Sequence, residues 1–303
     1  MESSVIKVIS SSAVSAALLI LGLAAPAQAL SNRAWVSGHG TDVAGCATPA
    51  NPCRTFQYVH DNIIAPSGEI DVLDPAGYGP VTITKALSIV NDGAGTAGVQ
   101  QTNGSVAAIE IIAGASDAVY LRGLNVDGLG LGAAGIRLNS GGKLTVVNCV
   151  VRHFGGDGIS IIPSIGVIAV SISATVVSDN NRSGIAFAPF GTAGVTGVIS
   201  QTTTANNGAG NASSAGISVF NNSPASASVT IVDSAAFNNN TGFQVNNPGG
   251  LGTLRLGRSV ATGNGNGLFI LPGSTLSSYG DNKVDGNTID IGGPGTLAII
   301  ANH

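Results

Sequence analysis

Apolar and polar residues alternate over most of this chain, and one short phrase, a glycine followed by an apolar residue, returns between residues 135 and 290. The apolar residue of the phrase is, in order, Ile136, Ile159, Ile185, Ile217, Phe243 and Leu268. Successive phrases are therefore 23, 26, 32, 26 and 25 residues apart. A unit that returns every ~20 to 50 residues is typical of a solenoid, in which each repeat packs only against its neighbours.

Each repeat also contains further short runs that predict strands, such as residues 167–172 and 174–177. Their strict alternation indicates strands with one buried face. Asparagines then collect shortly before the next glycine, at residues 180–181 (after Asp179), 206–207, 238–240, 264, 266 and 287. An asparagine tolerates a left-handed backbone and can bond within its own turn, so a row at equivalent turns predicts a stacked hydrogen-bonded ladder.

Three strands and tight turns in each rung of about 25 residues predict an all-β chain folded as a parallel β-helix. The Gly-Ile phrases and asparagine-rich turns resemble the right-handed parallel β-helix of the pectin-lyase-like superfamily. Residues 69–74 and 77–83 are similar to the opening rungs of its secreted bacterial members. The resemblance covers most of the chain and implies a fold much more specifically than a function.

The N-terminal segment, residues 1–29, predicts a secretory signal peptide. Lys7 supplies a positive charge, residues 13–25 form an apolar run, and Ala27 and Ala29 form a small-residue cleavage pattern. The apolar run is shorter than the ~20 residues that cross a bilayer, and no later run is uninterrupted enough to span one. We therefore expect a secreted protein, extracellular or periplasmic, without a membrane span.

The three cysteines are interpreted in two ways. Export favours a disulfide between Cys46 and Cys53, because the rival metal site lacks the usual paired spacing and neighbouring ligands. Cys149 stands alone in an apolar strand and is interpreted as a small buried core residue rather than a nucleophile. No metal-ligating set is identified in the sequence.

Residues 30–68 predict a disulfide loop followed by a helix that covers the first rung. The helix is expected to begin at Asn51 and Pro52 and to place Phe56, Val59 and Ile63 on one face. Such a cap is needed because the open end of a solenoid exposes core residues and unpaired strand edges. Residues 69–303 are assigned to the β-helix, and upstream strands are expected at 81–83, 87–90, 109–111 and 119–121.

Composition limits the partners. Only 9% of the residues are charged and the net charge is −4, so we expect no nucleic acid partner and no anionic lipid surface. Glycine is abundant, at 44 of 303 residues, yet 44% hydrophobic residues at regular spacing can supply a continuous core. We expect a polysaccharide or glycan surface as the partner.

The residues that follow each Gly-Ile phrase identify a candidate binding face. If the apolar residue points inward, the next residue points outward. The first outward row is Arg137, Ser160, Ala186, Ser218, Gln244 and Phe269. The second outward row is Asn139, Ile162, Ala188, Phe220, Asn246 and Leu271. Neither row contains a carboxylate, which argues against a pectinolytic mechanism on this face.

The same rows predict binding residues, namely Arg137, Phe220, Gln244, Asn246 and Phe269. The large apolar residues of the two rows, Ile162, Phe220, Phe269 and Leu271, make an apolar stripe with two open interpretations. The stripe is either covered by turn loops or forms a binding or assembly surface, which would make the protein a homo-oligomer.

A polar set just before the phrases forms the candidate catalytic group, namely Arg152, His153, Asp157, Asp179 and Arg182. These residues fall in adjacent rungs and are expected to lie side by side. A carboxylate pair flanked by arginine and histidine can do acid and base chemistry or bind a sugar. The alternative is that the aspartates cap turns and the charges form ordinary surface ion pairs.

Two functions therefore remain open, in addition to an oligomeric fibre or adhesion protein. The first is a non-catalytic, secreted glycan-binding protein or envelope or matrix component, without a cofactor. The alternative is a lyase or glycoside hydrolase acting on an acidic polysaccharide. The resemblance implies that such enzymes use calcium held by carboxylates or a cluster of aspartates, so calcium is expected only under this alternative.

Overall fold

The alternating residues form short strands that stack in parallel into three sheets. The structure, a computed structural model, describes residues 30–209, 213–220, 224–247 and 252–301. The predicted signal peptide, residues 1–29, lies outside the described residues. No helix in the described ranges has the length and apolar character needed to cross a membrane.

The strands of the described residues are numbered along the chain and grouped by sheet. The first sheet consists of β1 (Ser31–Val36), β2 (Ile64–Val72), β5 (Leu87–Val90), β8 (Ala118–Arg122), β11 (Lys143–Val147), β14 (Val167–Ser173), β17 (Gly194–Ser200), β20 (Ser226–Val232), β23 (Thr253–Gly257), β26 (Thr275–Ser278) and β29 (Thr296–Ile299). The second sheet consists of β4 (Val81–Ile83), β7 (Ala107–Ile112), β10 (Ala134–Ser140), β13 (Asp157–Ile161), β16 (Ile185–Phe187), β19 (Ile217–Phe220), β22 (Thr241–Asn246), β25 (Asn266–Ile270) and β28 (Ile289–Gly292). The third sheet consists of β3 (Ala76–Gly77), β6 (Ala97–Gln100), β9 (Leu124–Asp127), β12 (Val150–Arg152), β15 (Val176–Ser178), β18 (Thr203–Ala205), β21 (Ala235–Phe237), β24 (Val260–Thr262) and β27 (Lys283–Val284).

The register confirms the predicted right-handed parallel β-helix. The apolar residues of the Gly-Ile phrases pair in sequence order along the second sheet, from Ile136 to Leu268. All six are buried, and the strands expected at 81–83, 87–90, 109–111 and 119–121 are present as β4, β5, β7 and β8. Continuous stacks of buried aliphatic side chains are therefore the main source of stability.

The N-terminal end contains the predicted disulfide, but its helix begins at a different residue from the one predicted. Cys46 and Cys53 are bonded, with an S–S distance of 2.01 Å. The single helix of the described residues, α1 (Phe56–Asn62), begins after Thr55, whose side chain accepts a hydrogen bond from the Tyr58 N–H. The helix start expected at Asn51 and Pro52 is therefore wrong, because Thr55 is the residue that caps the free N–H groups.

The segment before the predicted β-helix also contains a strand that the sequence analysis missed. Strand β1 pairs in parallel with β2, which itself begins at Ile64 rather than at Glu69. Helix α1 buries Phe56 and Val59 against this first rung, as the capping prediction required. The β-helix thus starts within residues 30–68, and β1 supplies the outermost strand of the first sheet.

The predicted asparagine ladder lies at the turn from the third sheet to the second. Each side-chain Nδ2 donates to the Oδ1 of the next rung, at 2.9 Å from Asn180, 3.0 Å from Asn207, 3.1 Å from Asn239 and 2.9 Å from Asn264, whose acceptor is Asn287. The first four side chains are at most 3% exposed. Because buried amides need partners, the ladder both satisfies these turns and fixes the rung register.

A second column of turn residues joins the first sheet to the third and explains Cys149. Thr175, Thr202, Ser234 and Ser259 each donate their hydroxyl to the carbonyl two residues earlier, and Cys149 Sγ occupies the same position beside Val147 O. Cys149 is buried, and burial raises the pKa of its thiol to about 11. It lies in the turn before β12 rather than in a strand, and its predicted burial is confirmed. Burial and the raised thiol pKa favour the interpretation that it is not a nucleophile.

Candidate functional site

A groove runs along the outer face of the second sheet, and the side chains of one outward row create it. Along the row, the long side chain of Arg137 is followed by the small residues Ser160, Ala186 and Ser218, and then by Gln244 and Phe269. Small residues in the middle leave a depression between the large side chains at both ends. The groove has a volume of about 520 Å³.

The groove brings together all five residues predicted to bind. Arg137, Phe220, Gln244, Asn246 and Phe269 all line it. Asn139, the first residue of the second predicted row, is instead bonded to Glu110. The groove therefore lies on the face that period two predicts, because alternate side chains of a strand leave the same face of the sheet.

One end of the groove carries Asp157 and Arg182. Asp157 is the first residue of β13, and its carboxylate accepts a 3.0 Å hydrogen bond from the Ser183 N–H and a 3.4 Å bond from the Ser160 hydroxyl. The Arg182 Nε lies 4.0 Å from it, on a side chain that is 62% exposed. Burial raises the pKa of Asp157, and Arg182, Ser183, Ser160 and the more distant Arg137 only partly oppose this.

The Asp157 carboxylate lies close to the Ser183 N–H because the residue after Asp157 is a glycine. A side chain at Gly158 would put a Cβ 2.4 Å from Val177 of the third sheet. The glycine therefore lets β13 pack directly against β15 and brings the Asp157 carboxylate under the turn that carries Ser183.

The outward row continues upstream of the Gly-Ile phrases, and there it contains a carboxylate that was not predicted. The register continues upstream, where Arg137 pairs with Glu110 of β7, and the two side chains form an ion pair with a 3.6 Å N–O distance. The sequence analysis missed Glu110 because its rung has Ala108 where the phrase has glycine. Among the described residues that line the groove itself, Asp157 is the one carboxylate.

The other end of the groove is apolar with amide groups. Phe220, Phe269 and Leu271 line it together with the amides of Gln244 and Asn246. Phe220 is 39% exposed, and Phe269 and Leu271 are half-buried. The apolar stripe of the sequence analysis is therefore one wall of a concave site, not a flat patch.

A second polar group lies on the ridge at the end of the third sheet, outside the groove. Asp127, at the end of β9, accepts a hydrogen bond from the Leu129 N–H at 2.9 Å and from Arg152 Nε at 3.1 Å. His153 Nδ1 lies 3.2 Å from the same carboxylate. Burial alone would raise the pKa of Asp127, but the Leu129 N–H, His153 and Arg152 together lower it.

The structure divides the predicted catalytic set between these two places. Asp157 and Arg182 line the groove, whereas His153 and Asp179 line a shallow depression of about 620 Å³ on the ridge, next to Arg152. Asp179 accepts a hydrogen bond from Asn206 at 3.0 Å. The expectation that all five lie side by side is wrong, because the ladder turn lies between the third sheet and the second. Asp127 was missed as the partner of Arg152, although the two residues pair across adjacent strands.

Comparison with known proteins agrees with this architecture. A sequence model described as "Right handed beta helix region" matches residues 91–289, more than half of the chain. The chain belongs to the right-handed β-helix family. No curated protein sequence matches this family member.

Two solved structures resemble this β-helix protein at low sequence identity. The crystal structure of the pectate lyase Pel9A superimposes with a TM-score of 0.60 at 16% identity and covers 91% of this chain and 80% of that one. The GH136 lacto-N-biosidase from Eubacterium ramulus gives a TM-score of 0.38 at 10% identity, with 88% of this chain and 68% of that one covered. The first likeness confirms the pectin-lyase-like fold and says nothing about activity at this identity.

Proposed function

We propose that this β-helix protein binds a glycan in the groove of the second sheet and does not cleave it. The observation that carries the proposal is the composition of the groove. It combines guanidinium groups, amides and aromatic rings in one concave site about 520 Å³ in volume. A mostly apolar cleft with a few convergent polar groups is the usual form of a small-ligand site.

Each kind of side chain has a counterpart on a sugar. The amides of Gln244 and Asn246 can both donate to and accept from hydroxyl groups. Phe220 and Phe269 offer apolar ring faces to the C–H surface of a pyranose, and Arg137 and Arg182 can donate to carboxylate or hydroxyl oxygens. Because these residues line a concavity, they favour a ligand over self-assembly through the apolar stripe.

The predicted export of the protein supports the same proposal. The disulfide between Cys46 and Cys53 is of the kind that persists in oxidising compartments. The predicted signal peptide favours a location outside the cytoplasm, where polysaccharides are accessible. A role in an envelope or matrix is the expected setting for a glycan-binding protein of this kind.

Asp157 favours one second candidate function, a lyase or hydrolase. Its raised pKa would suit a general acid, and Arg182 lies beside it. Glycoside hydrolysis generally uses two carboxylates that flank the bond, whereas the described residues lining this groove include one. This difference supports binding as the first choice.

Retention and product analysis separate the two candidates. The purified protein would be passed over immobilised acidic and neutral polysaccharides, with and without calcium, and the soluble fraction analysed by mass spectrometry. We expect retention on a polysaccharide without new oligosaccharides. Products that disappear in Asp157→Asn would establish the enzyme instead, and absence of retention on every polymer would overturn glycan binding.

Two phenylalanine variants show whether retention uses the groove. Phe269→Ala removes a ring from the groove and should weaken binding by about tenfold, because a ring contact contributes about 1 kcal/mol or more. Phe237→Ala is the matched control, since Phe237 is 36% exposed on the third sheet, away from the groove. Equal losses in both variants would contradict the assigned site.

A further inference from the structure

The N-terminal end of the β-helix is covered by residues outside the three sheets. The Trp35 N–H of β1 donates to a carbonyl of the disulfide loop at 3.1 Å. Gln57 Oε1 of α1 accepts a 2.7 Å hydrogen bond from the Thr82 N–H of β4. The Arg54 guanidinium donates to the Gly77 carbonyl of β3, also at 2.7 Å. The outermost strand of each sheet therefore has a hydrogen-bond partner at this end.

The C-terminal end differs from this arrangement. It is formed by β27, β28 and β29, the last strands of the three sheets, and no element among the described residues lies beyond them. Residues 279–301, which include these strands, are called the end face below. The outer edge of a terminal strand presents N–H and C=O groups that its own sheet does not pair. All three sheets therefore end in an open edge within the described part of the chain.

The hydrophobic interior also reaches the end face. Ile291 follows Leu268 in register but is 54% exposed, whereas Leu268 is 2% exposed. Ile299 follows Ser278 in register and is 69% exposed, whereas Ser278 is 7% exposed. These two isoleucines and Leu297 line a cavity of about 220 Å³ together with buried residues of the preceding rungs. Positions that are buried one rung earlier are thus in contact with water here, which costs hydrophobic stabilisation.

The asparagine ladder, in contrast, is closed within the end face. Asn287, its last member, donates its Nδ2 to Asp290 Oδ1 at 3.1 Å. The polar column of the turn therefore needs no further partner. What remains open is a set of apolar side chains surrounded by three strand edges.

A second copy of this chain matches all of these features. An extended peptide could pair with one edge but would leave the other two edges and the apolar interior exposed. The N-terminal end of another copy is covered by α1 and the disulfide loop, whereas its end face carries the same edges and the same apolar side chains. In size, residues 279–301 match the side of a stable interface, which usually comprises about 20 to 30 residues.

We propose that two copies of this chain associate end to end through their end faces. A rotation of 180° about an axis perpendicular to the β-helix makes the facing strands antiparallel, so their edges can exchange backbone hydrogen bonds. The assembly closes at two copies because the opposite ends are covered. None of the described residues that line the groove belongs to the end face, so the dimer does not depend on a ligand of the groove.

Sedimentation velocity and small-angle X-ray scattering of the purified protein test the proposal. The concentration series would run from about 1 to 100 µM, because interfaces of standard size have micromolar or tighter affinities. We expect one transition from monomer to dimer without larger species. The longest dimension in solution should grow by roughly 48 Å, the length of ten strand spacings in the first sheet of one copy.

Two isoleucine variants show whether the contact uses the end face. Ile291→Asp and Ile299→Asp each place a charge among the apolar side chains and should weaken the dimer at least about tenfold. Ile165→Asp is the matched control, since Ile165 is 67% exposed in the turn between β13 and β14, away from both ends. All three side chains are exposed in one copy, so each variant should keep its fold, which thermal melting checks.

Four results would overturn the end-to-end dimer. The first is a monomer over the whole concentration series. The second is a species that keeps growing with concentration, which would indicate head-to-tail stacking. The third is a dimer without an increase in length, which would indicate side-by-side contact. The last is a dimer that Ile165→Asp weakens as much as Ile299→Asp does.

Discussion

Asp157 in the groove and Asp127 on the ridge occupy neighbouring rungs, and each lies beside an arginine, yet folding moves their pKa values in opposite directions. Asp127 has the Leu129 N–H, Arg152 and His153 around it at 2.9 to 3.2 Å. Asp157 has one backbone N–H at 3.0 Å, a hydroxyl at 3.4 Å and Arg182 at 4.0 Å.

The difference favours a structural role for the ridge and a binding role for the groove. The ridge carboxylate is satisfied by its own chain, so it stabilises its turn and needs no ligand. The groove carboxylate is buried with incomplete compensation, and the arginine beside it remains largely exposed. Poorly compensated polar groups in a cleft are typical of sites that bind something else.

The largest effect on stability should come from a substitution in the asparagine ladder, which lies between the ridge and the groove. Asn180 lies in the ladder between the ridge and the groove, accepts a hydrogen bond from the Phe154 N–H at 3.0 Å and is 1% exposed. Asn180→Ala should lower the free energy of unfolding by about 3 kcal/mol, because it leaves a buried N–H unpaired and cuts the ladder.

Urea unfolding followed by circular dichroism measures this loss. The exposed neighbour Asn181 supplies the control, and Asn181→Ala should change stability by less than about 0.5 kcal/mol. Equal effects of the two substitutions would show that the ladder does not hold the two regions in place.

The next largest effect on stability should come from a substitution of Asp127 on the ridge. Asp127→Asn keeps an acceptor for the Leu129 N–H but removes the charge that faces Arg152 and His153, so we expect a loss of about 1.5 kcal/mol at neutral pH. Because the pKa of Asp127 is lowered, its contribution is present above the ordinary value of 3.8 and is lost as pH falls through the folded-state pKa. The deficit of the variant, measured by urea unfolding from neutral to acid pH, should therefore shrink towards acid pH.

The smallest effect on stability, a gain rather than a loss, should come from a substitution of Asp157 in the groove. Asp157→Asn retains an acceptor for the Ser183 N–H and removes a poorly compensated charge, so we expect a gain of about 1 kcal/mol or less at neutral pH. The raised pKa means that the stabilising contribution of Asp157 is full below 3.8 and is lost as pH rises through the folded-state pKa. The advantage of the variant should therefore grow with pH over the same series. A loss of stability at neutral pH would show that Arg182 compensates Asp157 as fully as Arg152 compensates Asp127.

Much of the site was predictable because period two and the rung repeat are local properties. Arg137, Gln244 and Phe269 were placed on one face by counting from the Gly-Ile phrase, and the register confirms it. Glu110 was missed, since Ala108 replaces the glycine that marks the other rungs. Asp127 was missed because its partners lie one rung away, at a distance of 25 and 26 residues in the sequence.

The sequence by itself determined the β-helix, the disulfide, the asparagine ladder and the outward row, because each depends on spacing and residue type within one or two rungs. Only the tertiary structure decided that Asp157 and Arg182 face the groove while Arg152 and His153 bind Asp127. His153 adopts a left-handed backbone with φ of 57°, in the turn that leads from the third sheet to the second. A few residues of turn therefore separate two surfaces, and the direction taken by each side chain depends on how neighbouring rungs pack around that turn.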